Sequence, residues 1–359
     1  MIETITLRNY RGHTDTTIRC ARFTVLVGEN ACGKTSVLKA VQWVSRGIED
    51  KLSGGMLRRG ALQLDIGVAG VEAERAWRID AMYRPATTGD ELELVRAGVQ
   101  NLDDGSMASR PRAMFLALNT DDLAATSAPR SVRPVLTPSG AGLASVLAHL
   151  KLAETERFER IVAQLREVVP ITKDLGFTRA QVTEMVPRAV QVEGRAVEVV
   201  SAVTTIHDVL LFDFIDAPRV PASLVSEGTL LVLGVLTALE TLDRDTYIDN
   251  DGVRNVMHHP VAVVLIDDLD RALHPRAQRT FVTMLRRVLD SHPNLQIIAT
   301  SHSPYLVDSM RPEEVVVLGR DPGGRVVAKR LDEFPDDRLR GMLSTGELWM
   351  SEGDDWVSR

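Results

Sequence analysis

The chain has 359 residues, 44% hydrophobic and 25% charged, with a formal net charge of −7; this balance suits a well-cored soluble protein and excludes a polycation that coats nucleic acid with its whole surface. No apolar run reaches the ~20 residues that span a bilayer, and the N-terminus lacks a signal-peptide pattern. The two cysteines, Cys20 and Cys32, have no metal spacing and read as reduced thiols of a cytoplasmic protein.

Taken in order, residues 2–8 alternate through Ile2, Ile5 and Leu7 and read as an edge strand. Residues 23–27 read as a buried strand running into Gly28-Glu29-Asn30-Ala31-Cys32-Gly33-Lys34-Thr35-Ser36, which fits G-x-x-x-x-G-K-[ST]. A helix leaves this loop with Val37, Leu38, Val41 and Val44 at helical spacing. Residues 61–84 take on antiparallel strand texture, with turns at 87–90 and 103–106. Residues 114–118 form a short strand, 129–138 a proline-rich loop, and 140–169 a strongly helical run ended by Pro170. Strand texture returns over 185–216. Ser226-Glu227-Gly228 opens an apolar helix to residue 242, and a polar loop covers 243–259. Residues 261–266 are a continuous apolar strand ending in Asp267-Asp268. A helix over 276–289 and a strand over 296–300 lead to Ser301-His302.

Continuous apolar strands alternating with helices imply a largely parallel sheet covered on both faces. Such sheets bind ligands at the C-terminal ends of their strands, so the glycine loop, Asp267-Asp268 and Ser301-His302 are expected on one rim. In a phosphate-binding loop the backbone N–H groups wrap the phosphates, Lys34 reaches the β- and γ-phosphates of ATP, and the Thr35 hydroxyl ligates Mg²⁺. Asp267, at a strand end, suits a carboxylate that holds Mg²⁺ as well. Asp268 is then poised to orient or deprotonate water, and His302 to sense the γ-phosphate. Taken singly, an Asp-Asp pair is as often a solvated turn, and a lone histidine more often structural.

These motifs in this order resemble an ABC-type ATPase of the RecF/SMC/OLD group. The resemblance also takes in Ile5-Thr6-Leu7-Arg8-Asn9-Tyr10-Arg11-Gly12, the signature-like Leu224-Val225-Ser226-Glu227-Gly228-Thr229, and the turn after Asp268 through His274-Pro275. It implies an α/β P-loop fold with a mostly parallel sheet, an antiparallel β subdomain over about 50–120 and a helical/β insertion over about 140–220. Residues 1–320 are then one ATPase domain and 321–359 an extension. The resemblance further implies a homodimer sandwiching two ATP molecules, with Ser226, Glu227 and Gly228 of one protomer closing the other's site. The group usually has Glu where this chain has Asp268, which implies slow or partner-stimulated hydrolysis. No glutamine stands at the strand end near Asn119 where the group's Q-loop residue belongs. No long coiled coil is visible, nor a nuclease module after His302, so the expected effector is separately encoded, plausibly a nuclease in anti-phage defence or DNA repair. A nucleotide-held scaffold and a transporter subunit are the rival readings; no membrane partner is expected.

Two surfaces stay open. Arg58, Arg59, Arg75, Arg78 and Arg84 form either a solvated face or a local strip for nucleic acid. The tail with Trp349 and Trp356 is either folded back on the ATPase body or a docking element for a partner, tryptophan being a favoured interface anchor.

Overall fold

The computed structural model describes residues 1–46, 51–72, 75–86, 90–101, 112–128, 133–192, 195–243, 246–248, 254–256 and 262–359. Most of the turn expected at 87–90, the turn expected at 103–106, the start of the 129–138 loop and most of the 243–259 loop lie outside the described residues. The chain divides into two compact units, residues 1–117 with 258–359, and residues 118–257.

In chain order the elements begin with β1 (Ile2–Tyr10), β2 (His13–Arg19), β3 (Phe23–Gly28), α1 (Lys34–Arg46), β4 (Lys51–Ser53), β5 (Leu64–Glu72), β6 (Arg75–Pro85), β7 (Glu91–Asn101) and β8 (Ala113–Leu116). The second unit contains α2 (Thr120–Ala124), α3 (Leu143–Ala153), α4 (Thr155–Val168), β9 (Thr172–Val192), β10 (Arg195–Phe214), β11 (Val220–Pro221), α5 (Glu227–Glu240), β12 (Thr246–Ile248) and β13 (Arg254–Val256). The chain then returns to the first unit with β14 (Val263–Ile266), α6 (Pro275–Ser291), β15 (Gln296–Thr300), α7 (Pro304–Val307), β16 (Val315–Arg320), β17 (Val326–Arg330), α8 (Asp337–Met342), α9 (Thr345–Leu348) and α10 (Asp354–Ser358).

The first unit holds two six-stranded sheets. One runs β17-β16-β3-β15-β14-β8, with every pair parallel except β16–β17. Residues of β3, β14 and β15 are buried throughout, as strands covered on both faces must be, which is why they read as unbroken apolar runs. The other sheet is antiparallel, in the order β2-β1-β5-β6-β7-β4. α1 lies between the two sheets. Its Val37, Leu38 and Val41 share a core with Ile5 and Leu7 of β1, Ile66 of β5, Leu265 of β14 and Ile298 of β15. β1 is not the edge strand expected from its alternation; it is flanked by β2 and β5. Alternation reports two unlike faces, whereas edge position depends on β5, some 60 residues on.

In the second unit α5 is buried along most of its length. Its Thr237 and Thr241 hydroxyls are satisfied by the carbonyls one turn back, Leu233 and Thr237, both at 2.8 Å, so they sit in an apolar setting without orphaned polar groups. The helical run over 140–169 divides at Glu154, whose φ of −138° and ψ of 54° leave the helix. β9 and β10 form one long antiparallel hairpin that starts at Thr172, thirteen residues before the strand texture expected from 185. The early part of β9 was hidden because Lys173, Thr178, Arg179 and Gln181 are exposed, leaving no apolar alternation to read.

The tail packs into the first unit. Leu348, Trp349 and Val357 are buried. Trp356 meets Phe334 edge-to-face at 5.4 Å and lies under the Lys329 ammonium at 5.2 Å. Trp349 is thus buried and Trp356 half-buried against the body, the packing expected of the folded-back reading.

Candidate functional site

The loop after β3 is shaped by backbone conformations that few residues adopt. Gly28 and Gly33 have φ of 132° and 95°, the region that favours glycine. A Cβ on Gly28 would lie 2.0 Å from the Leu318 carbonyl oxygen, and one on Gly33 would lie 2.5 Å from His13 Nε2. Ala31 also takes a left-handed φ of 61°. Such alternation turns successive N–H groups inward, the geometry of an anion-binding concavity. Glu29, Asn30 and Ala31 form the exposed crest, while Cys32 and Lys34 are buried. Burial raises the Cys32 thiol above its ordinary range, with Lys34 opposing, so it stays protonated and inert at neutral pH.

Lys34 begins α1. Its ammonium donates to the carbonyls of Gly28 at 2.9 Å and Glu29 at 2.8 Å, and lies 3.7 Å from Cys32 Sγ. Among the described residues no carboxylate pairs with it. A buried cation held by two carbonyls and a neutral thiol, next to the N-terminus of the 13-residue α1, is a setting that favours an anion.

Three strand ends meet beside it. Thr35 Oγ1 donates to Asp267 Oδ1 at 3.0 Å, and Thr300 Oγ1 donates to the same oxygen at 2.7 Å. Thr300 Oγ1 in turn accepts from the Asp268 amide at 2.8 Å. Because β3, β14 and β15 are parallel neighbours, their C-terminal ends bring the glycine loop, Asp267-Asp268 and Ser301-His302 to one rim. Thr35 and Asp267 offer a hydroxyl and a carboxylate oxygen side by side, hard donors suited to Mg²⁺. Among the described residues no group of three or more His, Cys, Asp or Glu could hold a metal.

Asp268 is exposed and takes a left-handed φ of 54°. Its carboxyl is raised above the ordinary carboxylate value, first by desolvation and then by the charge of Asp267, with His302 opposing. His302 is exposed as well, and its amide donates to Asp270 Oδ1 at 3.1 Å. Ser36 follows Thr35 in the first turn of α1.

The signature-like residues belong to the second unit, at the start of α5. Ser226 is the N-cap residue, its hydroxyl 2.8 Å from that of Thr229. Glu227 Oε1 accepts from Thr120 Oγ1 at 3.1 Å, and Gly228 is buried. Asn119, where the sequence offers no glutamine, caps α2 by accepting from the Asp121 amide.

Sequence reasoning passed over Thr300, Asp270, His13 and Arg320. Thr300 had a readable signal, a hydroxyl at the end of a buried strand. His13 lies wholly buried under the loop, 3.3 Å from the Gly33 carbonyl, and Arg320 donates to the Ala31 carbonyl at 2.9 Å; neither had a local signal.

Among known proteins, residues 130–308 match an AAA domain family associated with the AbiEii toxin and type IV toxin–antitoxin systems, and residues 1–60 match an AAA ATPase domain family. The chain is 37% identical over 82 residues to the Septu protein PtuA of Bacillus thuringiensis, covering 23% of this chain and 20% of that protein. It is 30% identical over 92 residues to the Retron Vc95 probable ATPase of Vibrio cholerae serotype O1 biovar El Tor, covering 26% of this chain and 16% of that protein. The match thus spans a fifth or less of either curated relative. Among solved structures, the SMC head domain from Thermotoga maritima aligns over 92% of this chain and 98% of its own at 12% identity and a TM-score of 0.49. The Smc head domain from Pyrococcus furiosus, solved with an extended coiled coil and bound to the C-terminal domain of ScpA, aligns over 95% and 99% at 12% identity and a TM-score of 0.49. No helix among the described residues is long and apolar enough to cross a membrane. With a phosphate loop, a strand-end aspartate pair and a strand-end histidine in one α/β unit, and AAA-type ATPase families matched on both sides of the β-rich region, the chain belongs to the SMC/RecF/OLD-like ABC ATPases.

Proposed function

We propose that this ATPase is a molecular switch: a head-to-tail dimer that closes on two ATP molecules and so controls a separately encoded effector, a nuclease by preference, in bacterial anti-phage defence or DNA repair. The observation that carries the reading is the buried Lys34 ammonium, paired with no carboxylate among the described residues, beside the Thr35–Asp267 pair. The likeness to a Septu protein and to a retron ATPase supports the defence setting.

Lys34 and the loop amides hold the β- and γ-phosphates. Thr35 and Asp267 would hold Mg²⁺, which neutralises phosphate charge when bound. Asp268 orients a water; as its oxygen bonds to the γ-phosphorus and the bond to the bridging oxygen breaks, the proton passes to Asp268 and ADP and phosphate leave. His302 contacts the γ-phosphate. Ser226, Glu227 and Gly228 of the other protomer present the N-terminus of α5 to that same phosphate. Losing it removes contacts to both protomers and loosens the dimer.

Aspartate is one methylene shorter than the glutamate usual here, so turnover is slow or stimulated by a partner. Phosphate release measured beside molecular mass, with and without ATP–Mg²⁺, tests this. The expected result is wild-type turnover, with Asp268→Asn binding ATP, remaining dimeric and releasing no phosphate. Undiminished turnover in Asp268→Asn would move the base elsewhere. A wild type that dimerises on ATP without turnover would favour the scaffold, the reading that the short, left-handed Asp268 supports second. Absence of association with the product of a neighbouring gene in every nucleotide state would remove the effector from the proposal.

Arg58 and Arg78 do not form a free basic strip, since Arg58 bonds to Thr14 and Arg78 pairs with Asp80 at 2.7 Å. The side chain of Arg75 lies outside the described residues. Arg59 and Arg84 are the exposed members left, so a nucleic-acid contact on this face rests on few charges.

A further inference from the structure

Gln278 stands in the first turn of α6, just after the His274-Pro275 cap, and is 5% exposed. A buried primary amide brings two donors and an acceptor, all of which need partners. Here Nε2 donates to the Leu273 carbonyl at 2.9 Å and more weakly to the Asp270 carbonyl at 3.4 Å. Oε1 accepts from Ser303 Oγ at 2.6 Å. Two carbonyls on one side admit only the NH₂ end of the amide, so its orientation is set by its partners. Ser303 is itself buried, with its amide donating to Ser301 Oγ at 3.1 Å.

The turn after β14 and the segment after β15 are therefore tied twice. One tie is the Asp270 carboxylate on the His302 amide at 3.1 Å. The other runs from Ser303 through Gln278 to the carbonyls of the same turn. Asp268 and His302 adjoin these two ties in the chain, and His302 acts on the Asp268 carboxyl to lower its pKa. The turn needs such bracing, because Asp268 and Ala272 both take left-handed φ, 54° and 55°, which costs free energy for residues other than glycine.

We infer that Gln278 is a positioning residue for hydrolysis: without touching nucleotide, it locks the 269–273 turn to the 301–303 segment and so sets the placement of Asp268 against His302. The inference rests on the proposed ATP site for its catalytic consequence, but the mechanical lock is measurable by itself.

The test is amide hydrogen exchange of the full chain, read in peptides covering 267–273 and 299–305, together with ATP affinity and steady-state turnover. Gln278→Met keeps the bulk and removes both kinds of hydrogen bond. It is expected to raise exchange about tenfold in both segments together, the scale of one lost buried hydrogen bond. It should lower kcat about tenfold while leaving KM and ATP affinity within a factor of about two. Exchange that is unchanged, or that rises in one segment alone, overturns the lock. Unchanged kcat in an active enzyme overturns its catalytic role. If turnover is the same in wild type and Lys34→Ala, the ATP-site reading has failed instead, and the exchange result still decides the lock. Should Gln278→Met fail to fold, Ser303→Ala breaks only the Oε1 contact and should produce the same paired rise in exchange, at smaller size.

Discussion

His13 shows what a single residue under the phosphate loop demands. Its Nδ1 lies 3.1 Å from Thr16 Oγ1 and its Nε2 3.3 Å from the Gly33 carbonyl, with Arg320 nearby. Burial drives its pKa down from 6.5 to about 4; the Gly33 carbonyl opposes this and the charge of Arg320 adds to it. In the unfolded chain the imidazole takes a proton near its ordinary value, while the folded protein refuses it until about pH 4. Between these values the unfolded state holds more protons, so stability falls as pH falls. The loss amounts to roughly 3 kcal/mol at 1.36 kcal/mol per unit. Urea titrations from pH 7.5 to 4.5 should show that slope in wild type and a flatter one in His13→Gln; equal slopes would place the lowered pKa elsewhere. Lys34 leads to a sharper test. Removing the only buried cation of the loop in Lys34→Ala should reduce ATP affinity by a factor of a hundred or more, on the scale of charge-assisted phosphate contacts at ~1.5–3 kcal/mol each. Calorimetric titration that finds wild-type affinity would mean the loop has been misread. Residues of this kind differ in legibility. Lys34, Thr35 and Asp267 sit in local patterns whose spacing names their chemistry. His13, Asp270 and Gln278 matter through partners distant in sequence or through a fold that buries them, and nothing beside them in the chain says so.

At the scale of elements, the strands bearing the motifs were readable because burial on both faces leaves no polar register to confuse them. β14, expected at 261–266, is observed at Val263–Ile266, and β15 has the expected limits, Gln296–Thr300. The β9–β10 hairpin was half hidden for the opposite reason, its base being flanked by exposed polar residues. The tail was ambiguous because Lys329 and Phe334, the partners of Trp356, lie more than twenty residues before it in the chain. α9 docks against the segment that follows His302. The Gly346 amide donates to Asp308 Oδ1 at 2.8 Å, Thr345 Oγ1 donates to the Met310 carbonyl at 3.0 Å, and Ser344 and Glu347 form a capping box. A Cβ on Gly346 would lie 2.3 Å from the Pro304 carbonyl oxygen and 2.6 Å from Asp308 Oδ1. Backbone cannot yield that much, so Gly346→Val should dislodge α9 and cost ~2–3 kcal/mol, in the range of overpacked or broken buried contacts. Limited proteolysis should then cut near residues 343–347 in the variant and spare the wild type. A variant with wild-type protection and melting temperature would show that the tail contact is dispensable.

For the whole molecule, the motif set is divided between the two compact units: the phosphate loop, Asp267-Asp268 and His302 in one, Ser226-Glu227-Gly228 in the other. Their order along the chain was legible, but the division was not, since it follows from long-range pairing such as β8 with β14, nearly 150 residues apart. The proposed dimer makes a demand that this division lets one isolate. If signature residues act on a neighbour's nucleotide, a lesion there should abolish assembly while leaving each protomer's own phosphate loop intact. Gly228, buried at the first turn of α5, is the place to put it. An arginine there brings a long charged side chain to the helix end whose dipole would otherwise face phosphate. The experiment uses Asp268→Asn as background, so that hydrolysis does not dissolve the dimer during measurement. With ATP–Mg²⁺, light scattering should give twice the protomer mass for Asp268→Asn and the protomer mass for Asp268→Asn/Gly228→Arg. ATP affinity of the two should agree within about threefold, since less than ~0.7 kcal/mol separates them if each protomer binds alone. Circular dichroism guards against a fold lost to the arginine, with Gly228→Ala as the milder substitute. A double variant that binds ATP, keeps its fold and still doubles its mass would rule out the signature as the assembly surface and, with it, the head-to-tail sandwich.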